Sequence, residues 1–195
     1  MKPHGKSPNA EAALVQALRR WEGEGGALAH AVGSKLSRLF QGEVDNAVDA
    51  EAAEIIETLQ ELLAAAQASV LVAVRTAREV RGETRKLLLA IRRDNAQRCA
   101  MLIRSLQRAG ATPSTTIGVF YETAMAIRDP AVRLAFLNRG QRWLAHRLER
   151  LMPRVSGARL RNELGQMHSA YSESIKRTDL VLSHLRAATV PSGQA

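Results

Sequence analysis

The chain has 195 residues, with 28 basic and 19 acidic side chains and a formal charge of +9, a length that suits one domain and at most two. Arginine outnumbers lysine 23 to 5, alanine and leucine supply 32 and 24 residues, and aromatics make up 4%. Such a composition favours helix and excludes a sheet protein, a disulfide scaffold and a disordered chain.

The elements follow in chain order. Pro3, Gly5 and Pro8 make the first residues a loose tail, and no apolar segment follows to complete a secretory signal. Leu14, Leu18 and Trp21, then Leu28, Val32, Leu36 and Leu39, mark two short amphipathic helices ended by glycines. Residues 1–43 are therefore expected to form a tail and a helical arm, 44–188 the main body, and 189–195 a disordered tail. In the body, apolar residues recur at i, i+3, i+4 and i+7, which is the helical period. The first long helix, from about Val44 to Val80, carries the stripe Ile55, Leu59, Leu62, Leu63, Ala66, Val70 and Ala73. A second, from about Glu83 to Ala109, carries Leu88, Ile91, Asn95, Cys99, Leu102 and Leu106. A third opens at Asp129-Pro130, an N-cap followed by a proline at the first helical position. Its stripe is Leu134, Leu137, Gln141, Leu144, Leu148 and Met152. The fourth, from near Ser156 to Ala188, carries Leu160, Leu164, Met167, Tyr171, Ile175, Thr178, Leu182 and Leu185.

The connections predict the topology. The first and last pairs of helices are joined by a few residues, as antiparallel neighbours are. The middle connection runs about twenty residues, Gly110 to Asp129, with a short helix near Val119–Ile127. That is long enough to cross a bundle whose second helix is about 40 Å long. Two hairpins joined by one long crossover form the ferritin-like topology.

Ferritin-like di-metal proteins bring one Glu from each of two helices and a Glu-x-x-His pair from each of the others to mid-bundle. No Glu-x-x-His or Asp-x-x-His occurs here. The mid-stripe residues are Ala66, Asn95, Gln141 and Tyr171, with His168 beside Tyr171. Asn95, Gln141, Tyr171 and His168 are thus expected to form a polar but uncharged cluster that satisfies itself and fixes helix register, or else lines a small neutral pocket. No cofactor is expected, and iron or manganese enters only on the alternative reading of a di-metal oxidoreductase. His146 and Glu149 read as a surface pair, and Cys99 as a small buried thiol. Nucleotide-binding glycine loops, a G-x-S-x-G elbow, C-x-x-C and H-E-x-x-H are all absent.

The basic excess falls on residues 81–110, with eight basic and two acidic residues, and on 128–161, with nine and two. Such a field attracts polyanions. Arg92, Arg93, Arg104 and Arg108, however, spread around their helix with no aromatic between them for base stacking. A solvated surface with weak, non-specific polyanion binding is the expectation, and a dedicated nucleic-acid binder is the alternative. Phe136 and Trp143 make a second apolar face on the third helix, to be covered by the arm, by the Phe120/Tyr121 connector or by a second subunit in a homodimer. With no apolar run near the ~18 residues of a membrane span, a soluble cytoplasmic protein is expected.

Three stretches carry a resemblance: Arg98-Cys99-Ala100-Met101-Leu102, Phe120-Tyr121-Glu122-Thr123-Ala124-Met125-Ala126-Ile127, and Ala135-Phe136-Leu137-Asn138-Arg139-Gly140-Gln141-Arg142-Trp143. Over about residues 54–185 the chain resembles a bacterial family of ferritin-like four-helix bundles, a domain of unknown function. The resemblance implies the fold and no activity. It also implies acidic residues near Ala64, Ala66 and Asn95 and a His-Glu pair near Tyr171-Ser172, and this sequence departs at each. The function expected is therefore a divergent ferritin-like bundle without a complete di-metal site, a non-catalytic binding or structural module.

Overall fold

The computed structural model describes residues 46–188, and among these every regular element is a helix, with no strand. The expected arm and C-terminal tail lie outside the described residues. The helices are α1 (Asn46–Glu79), α2 (Gly82–Arg108), α3 (Val119–Ala126), α4 (Pro130–Leu151) and α5 (Ala158–Ala188), with a single 3-10 turn at Met152–Arg154.

The local signals act as their chemistry dictates. Gly82 (φ 61°) and Gly110 (φ 73°) take left-handed conformations that open α2 and follow its end, where a Cβ would be strained. The Asp129 carboxylate accepts from the backbone N–H groups of Ala131 and Val132 at 2.7 and 3.3 Å. It thereby satisfies orphan donors at the start of α4 while Pro130 has none to satisfy.

Ion pairs reveal the relative directions of the four long helices. Arg133 meets Glu79, Arg147 meets Glu61 and Arg154 meets Glu54, so α4 runs antiparallel to α1. Arg108 meets Glu163 and Arg177 meets Asp94, so α5 runs antiparallel to α2. The order is up, down, down, up, as the connection lengths predicted. The crossover climbs alongside α1. The Gln60 amide donates to the Thr112 carbonyl (2.7 Å) and accepts from the Ser114 N–H (2.8 Å). At the far end, the Arg133 guanidinium gathers the Ile127 carbonyl, Thr76 and Glu79. From Gln60 to Glu79 is about 29 Å of helix, the span for which the crossover's length is needed.

The α3 helix covers the second apolar face of α4. Phe120 stacks on Phe136 with ring centroids 4.9 Å apart. A Cβ on Gly140 would stand 2.7 Å from the Phe120 ring, so glycine there is what lets the ring reach α4. Phe136 is fully buried, and the chain's own Phe120 connector, one of the covers expected for this face, fills that contact. Trp143 stays partly buried, with the Arg147 guanidinium over its ring at 5.7 Å.

The segment Ala50–Glu79 proves long and apolar enough to cross a membrane by length and composition. Its Gln and Ser residues break every uninterrupted apolar run but are too few to make the segment polar on average. Leu59, Leu62, Leu63, Val72 and Ala73 of this helix are all buried against the rest of the bundle, the place of a core helix.

The core divides in two. One apolar cluster holds Val72, Leu88, Ile91, Leu134 and Leu137, and the other Leu59, Leu63, Leu102, Leu106, Leu144 and Leu148. On α2 the break falls between Ile91 and Leu102, where Asn95 and Arg98 stand. On α4 it falls between Leu137 and Leu144, at Gln141. A polar belt thus crosses the bundle between two leucine-rich halves.

Candidate functional site: the mid-bundle polar belt

Asn95, Gln141 and Tyr171 all lie in the interior with no exposed surface. The stripes of α2, α4 and α5 bring them there because each occupies an apolar register position of its helix. The Tyr171 hydroxyl donates to Asn95 Oδ1 at 2.9 Å, and the Asn95 amide donates to the Ile91 carbonyl at 3.0 Å. Asn95 is therefore used at both ends. Burial pushes the Tyr171 phenol above its ordinary range, so it stays protonated and remains a donor.

Gln141 does not join this pair. Neither its amide nitrogen nor its oxygen has a hydrogen-bond partner among the described residues. His168 does not join it either, which corrects its expected place in the cluster. Its Nε2 lies 2.9 Å from Glu149 Oε1, and a quarter of its side chain is exposed. The residue flanks the α5 stripe, so it turns towards α4 at the surface. Glu149 also faces His146 Nδ1 at 3.5 Å, and the hydrogen bond from His168 holds its carboxyl below the ordinary range.

A further correction concerns charge. Arg98 is 6% exposed and belongs to the belt. Its guanidinium donates to Asn95 Oδ1 at 3.3 Å and lies 3.9 Å above the centre of the Tyr171 ring. The cation faces the negative π-cloud of the phenol, and Asn95 accepts from both. The centre is therefore polar and positively charged. Sequence reasoning missed Arg98 because arginine counts as a surface residue in any apolar-stripe tally, although it stands at i+3 from Asn95 and i−4 from Leu102. Cys99 beside it is partly buried, and desolvation pushes its thiol up to about 11.

The fit of a di-metal centre is decided by these donors. Hard divalent iron or manganese needs carboxylates and imidazoles. The belt offers an alanine, two amides, a phenol and a guanidinium whose charge repels a cation. Among the described residues no group of three His, Cys, Asp or Glu side chains is placed to hold a metal ion. The belt does not fit a di-iron or di-manganese centre.

A model of the family described as a domain of unknown function (DUF6306) matches residues 53–180. The chain belongs to that family. No curated protein matches it. Among solved structures, a crystal structure described as "ferritin like, diiron-carboxylate proteins" from Bacillus anthracis str. Ames is similar. It has a TM-score of 0.56 at 16% identity over 69% of this chain and 96% of that one. The chain has the ferritin-like fold, and at this identity the similarity extends to the fold alone.

Proposed function

We propose that this DUF6306 member is a non-catalytic ferritin-like bundle, a cytoplasmic binding or structural module whose interior is held by a polar belt. The observation that carries this reading is Arg98, placed over the Tyr171 ring and on Asn95 in the interior. A ferritin-like metal centre needs anionic ligands from facing helices at mid-bundle. Here the same level presents a fixed cation whose partners are a neutral amide and an aromatic face. That arrangement supports a role in fixing how the four helices pair. Removing a partner from a buried polar group is costly, so a helix shifted by one turn would set Asn95 and Tyr171 against leucines.

Metal analysis of protein purified from cells supplemented with iron and manganese tests this. The expected result is well under one equivalent of either metal per chain, unchanged in Tyr171→Phe. Stoichiometric metal, lost in variants at Asn95 or Tyr171, would overturn the reading and restore the di-metal oxidoreductase.

A further inference from the structure

The acidic and basic residues of α1 and α2 are not evenly paired near the turn that joins these helices. Glu79 is taken by Arg133 of α4, Glu83 by Lys86, and Asp94 by Arg93 and Arg177. Arg75, Arg78, Arg81, Arg85 and Arg92 are all exposed, and none forms an ion pair with a described residue. Three of them, Arg78 from α1 with Arg85 and Arg92 from α2, line one groove of about 250 Å³ together with Val74, Ala77 and Leu89. Arg85 and Arg92 are two helical turns apart, about 10 Å along the axis, and Arg75 and Arg78 share a face at i, i+3. Neither helix shows this grouping in sequence. The hairpin creates it by laying the end of α1 against the start of α2.

We infer that this end of the α1–α2 hairpin is a docking surface for the phosphate backbone of double-stranded nucleic acid, engaged without sequence preference. Guanidinium groups present paired donors that match phosphate oxygens, and unpaired cations in a row release counterions when they meet a phosphate chain. Within the described residues α1 and α2 hold no Phe, Tyr or Trp, so no platform exists there to stack the bases of a single strand. An anionic membrane is the other polyanion of similar charge. A surface that enters the headgroup layer presents large apolar and aromatic side chains, and on this face Leu89 is the large apolar residue exposed, at 41%. The surface lies outside the polar belt, and the inference does not depend on the function proposed above.

The test uses the full-length chain and a short duplex of random sequence, with binding followed by fluorescence anisotropy across a potassium chloride titration. The triple variant R78Q/R85Q/R92Q is compared with R104Q/R139Q/R150Q, which removes the same charge from exposed arginines elsewhere. The first triple is expected to weaken binding at least tenfold at moderate salt and to flatten the log–log salt slope by roughly 2–3, at about 0.9 per phosphate contact. The second is expected to keep most of the slope. Unchanged urea midpoints in both would show that the fold persists. Equal losses in the two triples would overturn the inference by reducing it to net charge. No duplex binding at low salt, or tighter binding of the wild type to phosphatidylserine vesicles than to duplex, would also overturn it.

Discussion

The Tyr171 hydroxyl reaches across the bundle to Asn95 Oδ1 at 2.9 Å, joining α5 to α2 through a side-chain hydrogen bond with both partners fully buried. The same oxygen receives Arg98, so one amide links a phenol, a cation and, through its nitrogen, the helix backbone. Tyr171→Phe removes the donor and leaves Asn95 with Arg98. It is expected to cost about 1 kcal/mol. Asn95→Ala leaves the phenol and the cation without their acceptor and opens a small void, and is expected to cost roughly 2–4 kcal/mol. Urea unfolding of both single variants and the double variant checks this. A coupling energy near zero would show that the pair does not interact in solution.

Gly140 sets how closely α3 approaches α4. Gly140→Ala places a methyl group 2.7 Å from Phe120 Cζ, and the ring must move away from Phe136. The expected cost is about 1–3 kcal/mol, the usual range for overpacking. Adding Phe120→Leu should recover part of it. If Gly140→Ala instead raises the melting temperature, the helix propensity of alanine outweighs the displaced ring.

Among the described residues, three carboxyls have lowered pKa values in the fold. Hydrogen bonding to Arg154 lowers Glu54, and hydrogen bonding to His168 lowers Glu149. For Glu163, desolvation opposes the shift, but hydrogen bonds from Arg108, Arg159 and Ser105 together outweigh it. A carboxyl lowered in the folded state stabilises the fold above its unfolded value, near 4.5, and that stability is lost as pH falls through the folded value. The melting temperature should therefore change little on this account from pH 7 to about 5, then fall more steeply below about 4.5. Glu163→Gln should lower the neutral-pH value and make the acid limb shallower.

Cys99 should be inert in the native state. With its thiol pushed up to about 11 by burial, little thiolate exists at neutral pH, and thiolate is the reactive form. A thiol reagent at pH 7.5 is expected to label folded protein far more slowly than protein in denaturing urea. Equal rates would show that the region around α2 opens freely.

The elements and their order were legible because they rest on local chemistry. Asp129-Pro130 is a capping signal in any context, and a twenty-residue link between long helices has few uses. Asn95, Gln141 and Tyr171 were placed in the interior because the stripes of their helices run through them. What stayed hidden depends on contacts between helices. Arg98 enters the belt since an aromatic face and an amide oxygen await it, and both partners must be known before an arginine is counted as buried. His168 finds Glu149 on α4, a pairing set by interhelical register. The groove at Arg78, Arg85 and Arg92 draws on two helices, and the basic excess of the second does not by itself show which of its arginines the hairpin sets beside Arg78. Gly140 held a readable clue: a glycine amid strong helix formers marks a close approach, here by Phe120.

The crossover bears on how two copies of the chain can combine. A chain built as two helical hairpins on a long connector invites hairpin exchange, each copy completing its bundle with the other's second half. Here the connector is fastened to both halves of its own chain. Gln60 grips it at Thr112 and Ser114, Phe120 seats it against Gly140 on α4, and Arg133 binds the Ile127 carbonyl. Exchange would require those attachments to be released or rebuilt. The crossover therefore biases each hairpin towards the partner encoded in its own chain.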